Sequence, residues 1–112
     1  MNYKVKTYRK FDKEVKRLAK RYNSLKQDLI LLSKELLENP YMGSDLGNGM
    51  HKVRLGISSK GRGKSGGARV ITLILTLSEE EKEIGLHYIY DKSERENITD
   101  KELRLILKEN GL

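Results

Sequence analysis

A chain of 112 residues is expected to form one domain over residues 1–112, able to bury roughly two thirds of its unfolded surface around a single core without a disulfide or metal staple. Cysteine is absent, which excludes a disulfide framework, a thiolate nucleophile and a Cys-based zinc site and fits a reducing compartment. The formal net charge of +7 is uneven, since residues 40–78 carry six Lys and Arg against the single carboxylate of Asp45 while residues 79–112 are net acidic; the middle of the chain would therefore concentrate a polyanion such as nucleic acid.

At the head of the chain, Met1–Lys10 lacks the apolar stretch of a secretory leader, and no later run reaches the roughly 18 apolar residues of a membrane span. A soluble, cytoplasmic protein with no membrane partner is expected. Tyr3, Val5 and Thr7 alternate with Lys4 and Lys6, the two-residue period of a half-buried strand whose lysines suit an edge. Phe11, Val15, Leu18, Ala19 and Tyr22 then recur at helical spacing, opposite Lys13, Lys16, Arg17, Lys20 and Arg21, so the first helix is amphipathic and strongly basic. Ser24 and Gln27 have capping-box spacing ahead of a second helix with Leu25, Leu29, Leu32 and Leu36 on one side, closed by Asn39-Pro40. The short connection at Asn23 predicts an antiparallel hairpin. Tyr41–Met50 is small, glycine-rich and irregular, and reads as a loop.

The stretch His51–Thr76 organises the rest. Val53, Leu55 and Ile57 share one parity and Lys52 and Arg54 the other, giving a strand with an apolar and a cationic face. Lys60, Arg62 and Lys64 follow among Gly61, Gly63, Gly66 and Gly67, and Arg69 opens the apolar strand Val70–Leu77. Glycine backbone lets a phosphate approach closely while the cations supply charge; the plainer alternative is a hairpin loop whose glycines serve backbone geometry alone. Beyond an acidic turn at Thr76–Glu83, Ile84, Leu86, Tyr88 and Tyr90 alternate with Gly85, His87, Ile89 and Asp91 as a further strand. Thr99 and Glu102 form a second capping box, with Ile98 and Leu103 spaced as a hydrophobic staple; Leu103, Ile106 and Leu107 give the last helix a narrow stripe, and Gly111 stands at its C-terminal cap. The order β-α-α-β-β-β-α predicts an α+β fold, an antiparallel sheet of about four strands with the helical hairpin and last helix on one face.

Two nucleotide motifs fail on context. Gly61, Gly63 and Gly66 fit Gly-x-Gly-x-x-Gly, but a strand rather than a helix follows, so no helix N-terminus meets a pyrophosphate. Gly63-Lys64-Ser65 resembles the end of a P-loop, yet Ser58 stands where its first glycine belongs. His51 and His87 have no acidic partner at ligand spacing, so no metal site is expected and each reads as structural.

The element order, Tyr22-Asn-Ser-Leu25 between the helices, Lys52-Val-Arg54, Lys64-Ser-Gly-Gly-Ala-Arg69-Val-Ile and Tyr90-Asp-Lys92 together resemble the RelE/ParE superfamily of type II toxins, its RelE/HigB-like members in particular, over nearly the whole chain. The resemblance implies a RelE-like fold and a cytoplasmic toxin that cleaves mRNA in the ribosomal A site without a metal or other cofactor, held inactive by a cognate antitoxin of the helix-turn-helix type. In such cleavage the ribose 2′-OH attacks the adjacent phosphate, which calls for a base, cations for the charged phosphorane and a proton for the leaving oxygen. By position, the resemblance assigns Arg54 and Arg69, with Lys52 and Lys64 as neighbours, to phosphate stabilisation and Tyr90 and Lys92 to the functional end of the last strand. Lys60, Arg62 and Lys64 are then the RNA-binding cations, and His51 is the runner-up for the base. ParE-like relatives share the fold but inhibit DNA gyrase, so gyrase inhibition and a non-catalytic RNA-binding role both stay open.

Overall fold

A computed structural model describes residues 2–61 and 63–112; Arg62, one of the expected loop cations, lies outside the described residues. The elements in chain order are β1 (Asn2–Thr7), α1 (Arg9–Ala19), α2 (Leu25–Glu38), β2 (Ser44–Gly47), β3 (Met50–Leu55), a 3₁₀ turn (Ser58–Lys60), β4 (Ala68–Thr76), β5 (Glu81–Asp91) and α3 (Asp100–Glu109). The α+β class is as expected, but the sheet has five strands in the order β1-β5-β4-β3-β2 rather than about four. The added strand is β2, which falls inside the expected loop. It returns into β3 through Asn48 and Gly49, both at positive φ, the two-residue hairpin turn that matches the twist of an antiparallel pair.

Nor is the sheet wholly antiparallel. Short connections make β2, β3, β4 and β5 antiparallel neighbours, whereas β1 runs parallel to β5 with Val5 opposite Ile84. The chain leaves β1 through the helical hairpin, so no tight turn dictates its direction. It is the edge strand its lysines suggested, and Lys4 Nζ lies 3.4 Å from a Glu81 oxygen.

Helices α1 and α2 close one face. Phe11, Leu18, Leu25, Leu32 and Leu36 pack there with Val53, Leu55, Ile57, Val70, Ile84, Leu86 and Ile89. Helix α3 lies on the opposite face, against Met50, Ile71, Leu73 and Tyr90 through Ile98, Leu103 and Ile106. This corrects the expectation that all helices share a face. Both faces of β4 are consequently buried over most of its length, which explains an apolar run from Val70 to Leu75 interrupted only by Thr72.

The expected alternation in β5 is interrupted. Tyr88 pairs with Ile71 but Leu86 with Thr72, leaving His87 as the extra residue of a β-bulge. Ile84 and Leu86 face the hairpin core, as Ile89 does beyond the bulge, while Tyr88 and Tyr90 turn to the α3 side. The bulge is what brings Tyr90 onto the face that carries Lys52 and Arg54.

Helix α3 is fastened at both ends. Its capping box forms with both hydrogen bonds, Thr99 Oγ1 accepting from Glu102 N and Glu102 accepting from Thr99 N. At the other end Gly111 has φ +91, and its N–H and that of Leu112 donate to the carbonyls of Lys108 and Leu107, a Schellman closure. Asn110 adds a bolt between elements, accepting from Lys10 N at 2.9 Å and donating to His87 Nδ1 at 3.0 Å and His87 O at 3.1 Å. The first capping box does not form. Ser24 caps no backbone N–H of α2; its hydroxyl donates to Asp28 and accepts from Ser59 N.

Candidate nucleic-acid interface

Strand register sets the geometry of the open face. Arg54 lies directly opposite Arg69, and Arg69 directly opposite Tyr90, so three expected site residues form a row across β3, β4 and β5, about 10 Å from end to end at normal strand spacing. In the neighbouring row Lys52 stands between Ser44 and Ile71. Helix α3 covers the far part of this face and stops short of the cations. Ser44, Lys52, Arg54, Arg69 and Lys92 line the uncovered part, a polar concavity of about 190 Å³.

Like charges directly opposite each other destabilise a sheet. Even so, among the described residues no carboxylate lies within 4 Å of Lys52, Arg54, Arg69 or Lys92. Arg54 is exposed, whereas Arg69 is only 7% exposed. The Arg69 guanidinium donates instead to carbonyls at the base of the glycine loop, Lys64 O at 3.1 Å, Ala68 O at 3.0 Å and Ser65 O at 3.4 Å. A buried cation needs such partners, and these satisfy its N–H groups without neutralising its charge.

The remaining expected residues differ in setting. Tyr90 is in the row, but its hydroxyl is buried without a hydrogen-bond partner among the described residues, and the Arg95 guanidinium lies 5.5 Å from its ring centre. Burial pushes its phenol up, against the opposing pull of Arg69 and Arg95, so it is protonated at neutral pH. Two lysines touch the segment that leads into α3, Lys52 Nζ donating to Asn97 Oδ1 at 3.3 Å and Lys92 Nζ to Glu96 O at 2.9 Å. Lys64 is exposed and its only described carboxylate neighbour is Glu35 at 3.6 Å, itself half exposed, a contact worth little in water.

Lys60 stands apart from the other loop cations. Its side chain is 7% exposed and its Nζ lies 2.7 Å from Asp91 Oδ1 and 2.8 Å from Ser93 Oγ. Its charge is neutralised internally. His51 is also removed from the row, because its parity on β3 puts it on the hairpin face, edge-on to Tyr41 at 5.8 Å. That position is unsuited to the base role. His87 is fully buried, stacks on Tyr8 at 4.0 Å and is pushed down to about 4 by burial. That enclosed setting fits the structural reading of His87.

Several residues that hold this site in shape carried no recognised motif. Asp91 is fully buried and accepts from Lys60, from Tyr22 Oη at 2.6 Å and from Ser93 N at 2.8 Å. Asp28 on α2 accepts from Ser58 N at 3.0 Å and Ser58 Oγ at 2.7 Å. Gly67, at the loop's return, leaves no room for a side chain, since an added Cβ would stand 2.0 Å from Leu55 O. The available signal was an aspartate inside an otherwise apolar strand end and another on the leucine helix.

No group of three or more His, Cys, Asp and Glu side chains converges as a metal site among the described residues, and no helix among them is long and apolar enough to cross a membrane. The sequence model of a family described as the RelE toxin of the RelE / RelB toxin-antitoxin system matches residues 4–110. The curated proteins provide no match to the chain.

Proposed function

Since the chain belongs to the RelE toxin family, and is on that ground the toxin component of a toxin–antitoxin pair, we propose that its open sheet face cleaves mRNA on the ribosome. The observation that carries this reading is the directly opposed pair Arg54 and Arg69, with no carboxylate within 4 Å of either among the described residues. Folding alone gives no reason to set two arginines directly opposite each other on adjacent strands; a phosphate bound by both does. The bottom of the groove is basic over Lys52, Arg54, Arg69 and Lys92, a surface complementary to one sharply bent stretch of sugar-phosphate backbone.

In the proposed reaction the ribose 2′-oxygen attacks the adjacent phosphorus, a P–O2′ bond forms and the P–O5′ bond breaks. The products are a 2′,3′-cyclic phosphate and a 5′-hydroxyl. The 2′ proton leaves to a base and a proton reaches the departing O5′. Arg54 and Arg69 stabilise the negative charge that grows on the phosphorane oxygens, the part of the reaction to which planar guanidinium donors are best suited. Lys52 and Lys92 add to the field on either side. Tyr90, protonated at neutral pH, is a proton donor within the row once Arg95 is lifted from its ring. Lys64 extends the contact along the RNA, whereas Lys60 acts within the protein.

The natural partners on this reading are the ribosome with its bound mRNA and a cognate antitoxin of the helix-turn-helix type that blocks the open face, directly or by lifting α3. The cytoplasm is where these meet.

The test is cleavage of mRNA on programmed ribosomes by the purified chain, with both product ends analysed. Cleavage that leaves a cyclic phosphate and a 5′-hydroxyl, and persists in EDTA with ribosome integrity controlled, is expected. A 3′-hydroxyl product overturns the 2′-oxygen mechanism. Intact mRNA together with inhibited gyrase supercoiling transfers the chain to the ParE-like activity, and salt-sensitive ribosome binding with neither effect leaves an RNA-binding role.

A further inference from the structure

The glycine loop must be held in place for Arg69 to work, and its exposed middle cannot hold itself. Gly61 and Gly63 both adopt positive φ, and residues 63 to 65 are exposed. The Arg69 guanidinium donates two of its hydrogen bonds to the carbonyls of Lys64 and Ser65, so wherever the loop goes, those acceptors go too. What fixes the loop lies at its two ends. The return is set by Gly67, whose carbonyl accepts from Lys92 N at 3.1 Å. The start is the 3₁₀ turn, gripped by Asp28 at Ser58 and by Asp91 at Lys60.

We propose that Asp91 is a positioning residue for the RNA-cleaving site: through its ion pair with Lys60 it clamps the start of the glycine loop to the end of β5, and so keeps the loop carbonyls where they orient Arg69. This rests on the cleavage function proposed above. Asp91 lies between Tyr90 and Lys92 in sequence, yet its side chain turns the other way, toward the hairpin. There it joins three elements, Tyr22 after α1, Lys60 in the 3₁₀ turn and its own strand. Burial pushes the carboxyl up, but Lys60, the Tyr22 hydroxyl and the Ser93 N–H together outweigh that and hold it at about 2. Lys60 in turn lies 5.2 Å from the Tyr22 ring centre, so its ammonium is enclosed by a carboxylate, a hydroxyl and an aromatic face. A lysine that would otherwise be read as an RNA contact is thereby the pin of a clamp.

The consequence is a separation between binding and turnover. Loosening the loop leaves the cations of the open face in place, joined by a freed Lys60 when it is Asp91 that is changed, but lets Arg69 leave the orientation that suits the transition state. Asp91→Asn keeps the volume and an acceptor for Tyr22 while removing the charge. Lys60→Met removes the pin and leaves Asp91 bonded to Tyr22 and Ser93; Tyr22→Phe keeps the ion pair and loses one hydrogen bond.

The test combines single-turnover cleavage on programmed ribosomes with hydrogen exchange of the loop amides in the isolated protein. For Asp91→Asn and Lys60→Met, the maximal cleavage rate is expected to fall at least tenfold with the half-saturating concentration changed less than threefold, and amides of residues 61–66 to exchange at least tenfold faster while those of β3 and β4 do not. Tyr22→Phe should give a smaller change of the same kind, and Lys60→Arg should restore part of the rate. Unchanged loop exchange in both Asp91→Asn and Lys60→Met overturns the clamp. Faster loop exchange with an unchanged maximal rate overturns the positioning role. Should the unaltered chain cut no RNA, faster loop exchange in the variants still supports the clamp, and what falls is the cleavage function.

Discussion

On the hairpin face, Val53, Leu55, Val70 and Ile89 are closed under α1 and α2. On the other face the same strands carry Lys52, Arg54 and Arg69, and α3 stops short of them. The closed face holds hydrophobic area, and the charges buried beside it are matched within the protein, Asp91 by Lys60 and Asp28 by Ser58. The open face keeps cations directly opposed, a local conflict with sheet stability that the polyanionic partner proposed above would relieve. On the proposed function, stability and function are separated by strand parity, with the neighbours Val53 and Arg54 serving opposite ends.

If that separation is real, substitutions on the two faces must affect different observables. The largest effect belongs to Gly67→Ala and Leu32→Ala, which act on the fold. A methyl group 2.0 Å from Leu55 O forces the loop's return apart and is expected to cost about 2 to 3 kcal/mol. Leu32→Ala should cost a similar amount through the cavity it leaves. Urea denaturation measures both, and a loss below about 1 kcal/mol for Leu32→Ala would contradict a tightly packed hairpin face.

A buried histidine gives a comparable, pH-dependent effect. His87 is pushed down to about 4 in the folded protein, against about 6.5 unfolded. The unfolded chain therefore binds more protons between those values, so His87's contribution is fully present above about 6.5 and is lost as pH falls through about 4, on the order of 3 kcal/mol in all. His87→Gln should flatten the stability profile in that window, and an equally steep profile in the variant would assign the dependence to other groups.

Smaller effects separate one loop cation from another. Ribosome affinity should fall steeply with salt, and Lys64→Ala should reduce the slope of log affinity against log salt by about 1, as for one phosphate contact. Lys60→Ala should leave the slope unchanged, because its charge is already matched by Asp91. Equal slopes in the two variants would remove the distinction between them. Least of all, Lys13→Ala on the exposed side of α1 should alter stability by less than about 0.5 kcal/mol.

Much of this architecture was legible in the sequence because it depends on local rules. Helical spacing of Leu25, Leu32 and Leu36 fixed which side of α2 is buried, and the Thr99–Glu102 box marked the start of α3. The alternation of Val53 and Arg54 assigned each to its face. What escaped detection depends on long-range contacts. The four residues of β2 lack an alternating pattern, although Asn48-Gly49 is a strong hairpin signal. The bulge at His87 reverses the parity of β5, and no one-strand pattern announces it. Ser24 had the spacing of a cap, but its hydroxyl donates to Asp28 one turn along α2 and accepts from the N–H of Ser59, which the tertiary fold brings close. Likewise Lys60 has the composition of an RNA contact, and only its proximity to Asp91, 31 residues along the chain, reveals its inward role.

The most direct test of the division between the faces is single-turnover mRNA cleavage on programmed ribosomes by Arg54→Ala, measured alongside its stability. Arg54 is exposed and has no described carboxylate neighbour, so its loss removes charge from the row without removing packing. The expected result is a cleavage rate lower by a hundredfold or more, equivalent to about 3 kcal/mol of transition-state stabilisation, with stability unchanged or raised by up to about 0.5 kcal/mol. Arg54→Lys should recover only part of the rate, since an ammonium keeps the charge but not the two-pronged geometry. Full cleavage by Arg54→Ala, or a loss of rate that merely follows a loss of folded protein, would contradict the account.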